Sequence, residues 1–282
     1  MKTDDDPVTV FPLAILHDNY VWCIRRHQNL VVIDPGEADA VLAYCQQHQC
    51  VISHILITHF HDDHVAGIAD IRRVFPHVNI INSPQMPYAW HETENAQSGD
   101  WAGSHWQVYR TPGHRPEHMS YLLTIDETQW LFCGDVLFSL GCGRLSDGIT
   151  PDSVTIAQRS LVLLRDLPDE TWVCCTHEYT LANSAFVLHI LPERDVRRDE
   201  LQRYQQQLRV LDAKQQPSLP TRLGFEKRYN PFLQWDDPVM IEVARHYYAT
   251  LPQADENDAA KEHTSLTSAQ VFGALRALKN QF

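Results

Sequence analysis

Residues 55–67 read ILITHFHDDHVAG: an apolar, β-branched run stops at Thr58, and the next six residues hold three histidines and two aspartates. Imidazoles and carboxylates crowded at the end of a buried strand are costly to desolvate unless they share a cation. Three later stretches stand in the same relation to a strand. TPGHRPEH (111–118) follows WQVYR, Asp135 ends WLFCGD, and His177 follows TWVCCT. Loops leaving one edge of a sheet converge, and α/β proteins build their sites there.

The donors are nitrogen and oxygen, with no obvious thiolate. That set suits zinc, iron or manganese in a catalytic role better than a closed, Cys-rich structural zinc. The candidates are His59, His61, Asp63, His64, one or both of His114 and His118, Asp135 and His177. One tetrahedral ion takes three protein ligands and an open position, so seven or more donors fit two ions, with Asp135 able to bridge. Two divalent ions sharing a water would hold it as hydroxide at neutral pH and polarise a substrate oxygen, which is hydrolysis without a covalent enzyme intermediate. His54 reads as packing or surface. His17, His27, His48, His77, His91, His105, His189, His246 and His263 have no companions and read as ordinary residues.

The chain has 282 residues, enough for one large domain or two smaller ones. Up to about residue 177 it reads as mixed α/β. YVWCIRR and LVVID form a hairpin, EADAVLAYCQQHQ and HVAGIADIRRVF are helices, and HILIT, WQVYRT, MSYLLTI, WLFCGD and TWVCCT are strands. Thr150 caps a further helix that has Pro151 at its first position. From residue 178 onward only helices are expected, in YTLANSAFVLHIL, ERDVRRDELQRYQQQLRVLDAKQQ, DPVMIEVARHYYATL and SAQVFGALRALKNQF, with an exposed loop at PQADENDAAKEHTS. The boundary therefore falls between a metal-binding catalytic domain, 1–177, and a helical domain, 178–282.

A formal charge of −13 argues against a nucleic-acid partner. No apolar run is long enough to span a bilayer, and MKTDDDPVTV lacks a signal-peptide pattern, so no membrane partner is expected. Seven cysteines include no CxxC pair, and Cys174–Cys175 read as buried strand thiols, which fits a cytoplasmic setting. GDVLFSLG is not a nucleophile elbow, and LGCGRLSDG does not match a nucleotide fingerprint.

THFHDDH, TPGHRPEH, FCGD and THEYT together resemble the metallo-β-lactamase superfamily, whose fold is an αβ/βα sandwich. VVIDPGEA, GDVLFSLGCGR, HEYTLAN, YNPFL and LRALKNQF extend the likeness over nearly the whole chain, toward the glyoxalase II (hydroxyacylglutathione hydrolase) family. The resemblance implies an α/β sandwich followed by a smaller all-helical domain, and a binuclear centre, most often of zinc. It implies His59, His61 and His118 on one metal, Asp63, His64 and His177 on the other, and Asp135 between them. His118 rather than His114 is taken as the ligand, with His114 orienting the loop. Asp63 and Asp135 are the catalytic carboxylates, acting through the metals. Arg144, Tyr179, Arg276 and Lys279 would bind the glutathione part of S-D-lactoylglutathione, in a protein that works as a monomer. Phe60, Arg115, Glu117, Ser146 and Asn280 depart from the family pattern. Two other readings use the same residues: a single-iron persulfide dioxygenase, and a non-catalytic module stabilised by metal.

Overall fold

The computed structural model describes residues 7–81, 96–101, 104–251 and 265–282. Among these residues, the first sheet takes β1 (Thr9–Ile15), β2 (Asn19–Arg26), β3 (Asn29–Ile33), β4 (Val51–Leu56) and β5 (Asn79–Ile81), in that order. Helix α1 (Asp39–His48) makes the crossover from β3 to its parallel neighbour β4. Helices α2 (Asp62–Val65) and α3 (Ile68–Val74) lie between β4 and β5. The second sheet holds β6 (Ala96–Trp101), β7 (Ser104–Arg110), β8 (Met119–Ile125) and β9 (Thr128–Gly134), and a small ribbon follows, β10 (Leu137–Phe138) with β11 (Gly141–Cys142). After α4 (Pro151–Arg165) comes β12 (Trp172–Cys175), parallel to β9.

Alternation along the strands decides how the layers stack, because neighbouring side chains point to opposite faces. On β2, Val21 and Cys23 face an outer core with Val41 and Cys45 of α1 and Ile71 of α3. Trp22 and Ile24 face inward, and the Trp22 ring meets Phe132 of β9 edge-on at 6.1 Å. Tyr121 of β8 lies on that inner face, with its hydroxyl donating to the Ile57 carbonyl at 2.7 Å. Leu122 and Leu131 alternate to the other face, in the same core as Val154, Leu161 and Leu164 of α4. The result is an αβ/βα sandwich, and each fully buried side chain of this size contributes about 1.5–3 kcal/mol.

The helical part comprises α5 (Thr180–Ile190), α6 (Arg198–Ala213), α7 (Leu223–Tyr229), α8 (Pro238–Thr250) and α9 (Ser268–Gln281). One strand interrupts it. Residues Thr221–Arg222 form β13, antiparallel to β12 at the edge of the second sheet, so the expectation of helices alone after residue 177 is corrected. The Arg222 guanidinium lies 3.4 Å from the centre of the Trp172 ring, a contact that needs only two paired residues to form. The core also ignores the boundary: Phe186, Phe232 and Phe272 belong to one continuous buried cluster with Trp22 and Phe132. Capping follows the sequence closely. Thr150 and Thr267 form capping boxes, and Asp237 accepts from the amides of Val239 and Met240. The loop expected at 252–265 falls almost wholly outside the described residues, as do His91 and His263.

Candidate metal centre

Strand ends deliver the site. His59 and His61 leave β4, the four-residue helix α2 carries Asp63 and His64, His114 follows β7, Asp135 closes β9, and His177 follows β12. Donor atoms gather in two groups, His59 with His61, His114 and Asp135, and Asp63 with His64 and His177. Within each group they lie no more than 4.8 Å apart. In the first, His61 Nδ1 is 3.0 Å from His59 Nε2 and 3.1 Å from His114 Nε2, and His114 Nε2 is 3.5 Å from Asp135 Oδ2. In the second, His177 Nε2 is 3.4 Å and His64 Nε2 3.7 Å from Asp63 Oδ2. Asp135 Oδ1 reaches both of those imidazoles, at 3.4 Å and 3.5 Å. One oxygen of Asp135 thus addresses each group.

His118 does not join them. Its Nδ1 pairs with Thr111 Oγ1 at 3.0 Å, and its Nε2 accepts the backbone N–H of Asp135 at 3.2 Å, so both ring nitrogens are occupied. The expectation that His118, and not His114, faces the metal is therefore corrected. His114 turns its Nε2 into the cluster and fixes its Nδ1 on the Arg144 carbonyl at 2.9 Å. His118 instead supports the strand end that presents Asp135. Gly134, at φ 46°, permits this close approach, since a methyl there would lie 2.7 Å from His118 Nε2.

Three further imidazoles, His59, His177 and His64, are oriented from behind in the same manner. His59 Nδ1 is 3.1 Å from Thr58 Oγ1, His177 Nδ1 is 2.8 Å from Asp18 Oδ1, and His64 Nδ1 is 3.0 Å from Asp34 Oδ2. Asn19 donates to Asp63 Oδ2 at 3.0 Å. Such outer partners fix the tautomer and leave the other nitrogen free for a metal. Asp18, Asn19, Thr58 and Asp34 were not identified from sequence. Asp34 could have been, because it closes β3 as Asp135 closes β9.

Charge is arranged unevenly. Burial, reinforced by neighbouring imidazoles, lowers His59. Burial also lowers His114, and it takes His118 down to about 3, so these rings stay neutral. Burial works to lower His64 and His177 too, but Asp34 and Asp135 outweigh it on His64, while Asp135 and Asp18 carry His177 up to about 9. Burial would raise Asp135, yet His177 and the other surrounding imidazoles hold it well below the usual carboxylate range. Among the described residues, His64 Nε2 and Asp135 Oδ1 are buried with no hydrogen-bond partner, although they lie close together. A buried imidazole nitrogen and carboxylate oxygen left in this state fit a divalent cation between them.

The expected substrate residues surround this centre unequally. Tyr179 stacks on His177 at 4.7 Å with its plane 6° away, and burial raises its hydroxyl to about 12. Arg144 is exposed. Arg276 is buried at 4% exposure, donates to the Cys142 carbonyl at 2.7 Å and lies over Phe232. Lys279 sits between the rings of Phe186 and Phe282, and burial and Arg276 together bring its pKa down to about 8. Of the departures, Phe60 packs against the outer core, Arg115 and Glu117 pair with each other at 3.2 Å, and Ser146 and Asn280 are exposed.

A two-sheet sandwich with histidine and aspartate clusters at its strand ends defines a protein of the metallo-β-lactamase fold. Solved structures agree: a metallo-β-lactamase from Staphylococcus aureus shares 18% identity at a TM-score of 0.57, covering 96% of this chain and 73% of that one. The structure of ETHE1 from Myxococcus xanthus shares 22% identity at a TM-score of 0.56, covering 94% of this chain and 99% of that one. The metallo-beta-lactamase superfamily model matches residues 16–177, and the model of the hydroxyacylglutathione hydrolase C-terminus matches residues 178–282. Hydroxyacylglutathione hydrolases from Yersinia enterocolitica and Yersinia pestis are 40% and 38% identical over 279 residues, spanning 98% of this chain and all of theirs. The chain belongs to the hydroxyacylglutathione hydrolase (glyoxalase II) family and is an enzyme of the hydrolase class. Among the described residues, no helix is long and apolar enough to cross a membrane.

Proposed function

We propose that the chain hydrolyses glutathione thioesters, with S-D-lactoylglutathione and water giving D-lactate and glutathione. The single observation that carries this reading is Asp135, whose two oxygens face two separate groups of imidazoles. His59, His61 and His114 would hold one divalent ion and Asp63, His64 and His177 the other, both shared with Asp135. When bound, such a pair, most often zinc, supplies the positive charge that makes water a nucleophile at neutral pH and polarises a carbonyl. The chain's own residues do the remainder. The buried partners Thr58 and Asp34, the half-buried Asp18 and the Arg144 carbonyl hold His59, His64, His177 and His114 each in one orientation, and the depressed Asp135 stays ionised throughout. The leaving thiol has a solution pKa of about 8.5 and departs as thiolate, so no buried general acid is required.

Residues 178–282 would bind the glutathione moiety. Arg144, Arg276 and Lys279 supply cations for its carboxylates in an otherwise acidic protein, and the Tyr179 ring flanks the centre beside His177. Two separate donor groups favour this over a single-iron oxygenase. The test is cleavage of S-D-lactoylglutathione by protein whose metals have been counted. Turnover is expected only with about two ions per chain. No cleavage at full loading, or oxygen uptake with one iron per chain, would overturn the reading.

A further inference from the structure

The ribbon β10–β11 turns at Phe138–Gly141, and this turn is buried, with Ser139 at 1% and Leu140 at 0% exposure. Turns normally lie on the surface because water satisfies their backbone. Here three side chains of the helical part replace water. Asn183 of α5 donates to the Ser139 carbonyl at 2.9 Å, and Asn230 donates to the carbonyls of Phe138 and Gly141 at 3.0 Å each. Glu226 of α7 accepts from the Leu140 amide at 2.7 Å and from the Ser139 hydroxyl at 3.0 Å, and Asn230 also donates to it at 3.0 Å. The fit is close: a methyl on Gly141 would collide with the Asn183 amide, and Leu140 is held at φ 57°.

Glu226 is fully buried, and despite hydrogen bonds from Leu140, Asn230, Thr221 and Ser139, burial raises its carboxyl to about 7. An ionisable group kept in such a place stabilises a fold less than an apolar side chain of equal size would. What it secures is the shape of the turn. On one side the turn sets the Phe138 ring, edge-on to Tyr179 at 5.2 Å and to His177 at 5.8 Å. On the other it leads through Cys142, whose carbonyl accepts Arg276, to the Arg144 carbonyl behind His114.

We propose that Glu226 is a positioning residue: with Asn183 and Asn230 it clamps the turn at Phe138–Gly141, and so fixes from the helical part both the orientation of His114 and the wall beside His177 and Tyr179. This deepens the proposed function and rests on its assignment of His114 to a metal. Replacing Glu226 acts through the turn, so its mark is on metal affinity and on KM, whereas a purely structural residue would lower stability alone.

The experiment titrates zinc into the metal-stripped full chain by calorimetry and measures KM on reloaded protein. Glu226→Ala is compared with Glu226→Gln and with Met240→Ala, a core variant on α8 whose side chain makes no hydrogen bond to the turn. Gln keeps an acceptor for the Leu140 amide and lets the Ser139 hydroxyl rotate to accept. The inference expects zinc affinity in Glu226→Ala to fall about tenfold or more, the range for lost outer partners of a metal ligand, with a raised KM. Glu226→Gln should stay within about threefold of the parent, and Met240→Ala should lose melting temperature without losing zinc. If Glu226→Ala does not fold, Asn183→Ala carries the same expectation, a loss of about tenfold. Parent-like zinc affinity and KM in a folded Glu226→Ala, or in Asn183→Ala where the former fails to fold, would overturn it. Absence of thioester cleavage by the parent would remove the proposed function, while the zinc comparison would still decide the role of Glu226.

Discussion

Asp34 holds four groups with one carboxylate, the fourth being the Thr176 hydroxyl, which donates to Oδ2 at 3.4 Å. At 1% exposure it accepts from the Thr58 amide and hydroxyl, each at 2.7 Å, and faces His64 Nδ1 at 3.0 Å. Asp34→Asn must turn an NH2 toward a donor whichever way it is flipped. We expect zinc at the Asp63, His64 and His177 group to bind about 10–100-fold more weakly in this variant, as read by calorimetry. His114 and His118 make a second test. His114→Ala should lower metal content toward one ion per chain with little change in melting temperature, because its ring faces the cluster and gives up a single bond outside it, to the Arg144 carbonyl. His118→Ala should retain metal better but lose on the order of 2 kcal/mol or more, since it empties a fully buried, doubly bonded position. Metal analysis beside thermal unfolding separates them. The sequence made the ligand-rich strand ends legible, but two histidines four residues apart look alike from spacing. What separates them is where their nitrogens are spent, on Thr111 and Asp135 or on the cluster, and that depends on contacts between distant strands.

At the scale of elements, α9 shows what periodicity can and cannot reveal. Its extent follows from the apolar spacing of SAQVFGALRALKNQF, and the structure adds the cap at Thr267. By spacing alone Arg276 and Lys279 would be a solvated face, yet Arg276 is buried and Lys279 is wedged between two rings. With its pKa brought down to about 8, Lys279 is cationic below that pH and neutral above it. A carboxylate ligand should therefore bind less well as pH rises through about 8. KM for the thioester should climb across that range in the parent and stay flatter in Lys279→Arg, whose cation does not titrate there. Strand β13 was not legible because two residues carry no periodicity, and only the partner strand β12 gives them their role. The strands β2, β3, β8, β9 and β12 were legible because they are apolar runs buried on both faces.

Across the whole molecule, one core joins the sandwich to the helical part, so thermal unfolding should follow one transition rather than two. Without metal, its midpoint should depend on pH through His177. That group's pKa is raised in the folded state to about 9, so its contribution is complete below about pH 6.5, the unfolded value, and is lost as pH rises through 9. His177→Ala should remove that part of the decline in a calorimetric pH series. Metal reverses the relation: it displaces the proton, and its affinity should grow over the same range.

All seven cysteines are unpaired and buried, and burial pushes Cys23, Cys133, Cys174 and Cys175 far up and Cys45 up to about 12. An enzyme that releases a sulfhydryl product works amid the oxidised dimer of that product. Here the folded surface presents no thiolate to attack that disulfide, so mixed-disulfide capture of the catalyst has no foothold until the chain unfolds.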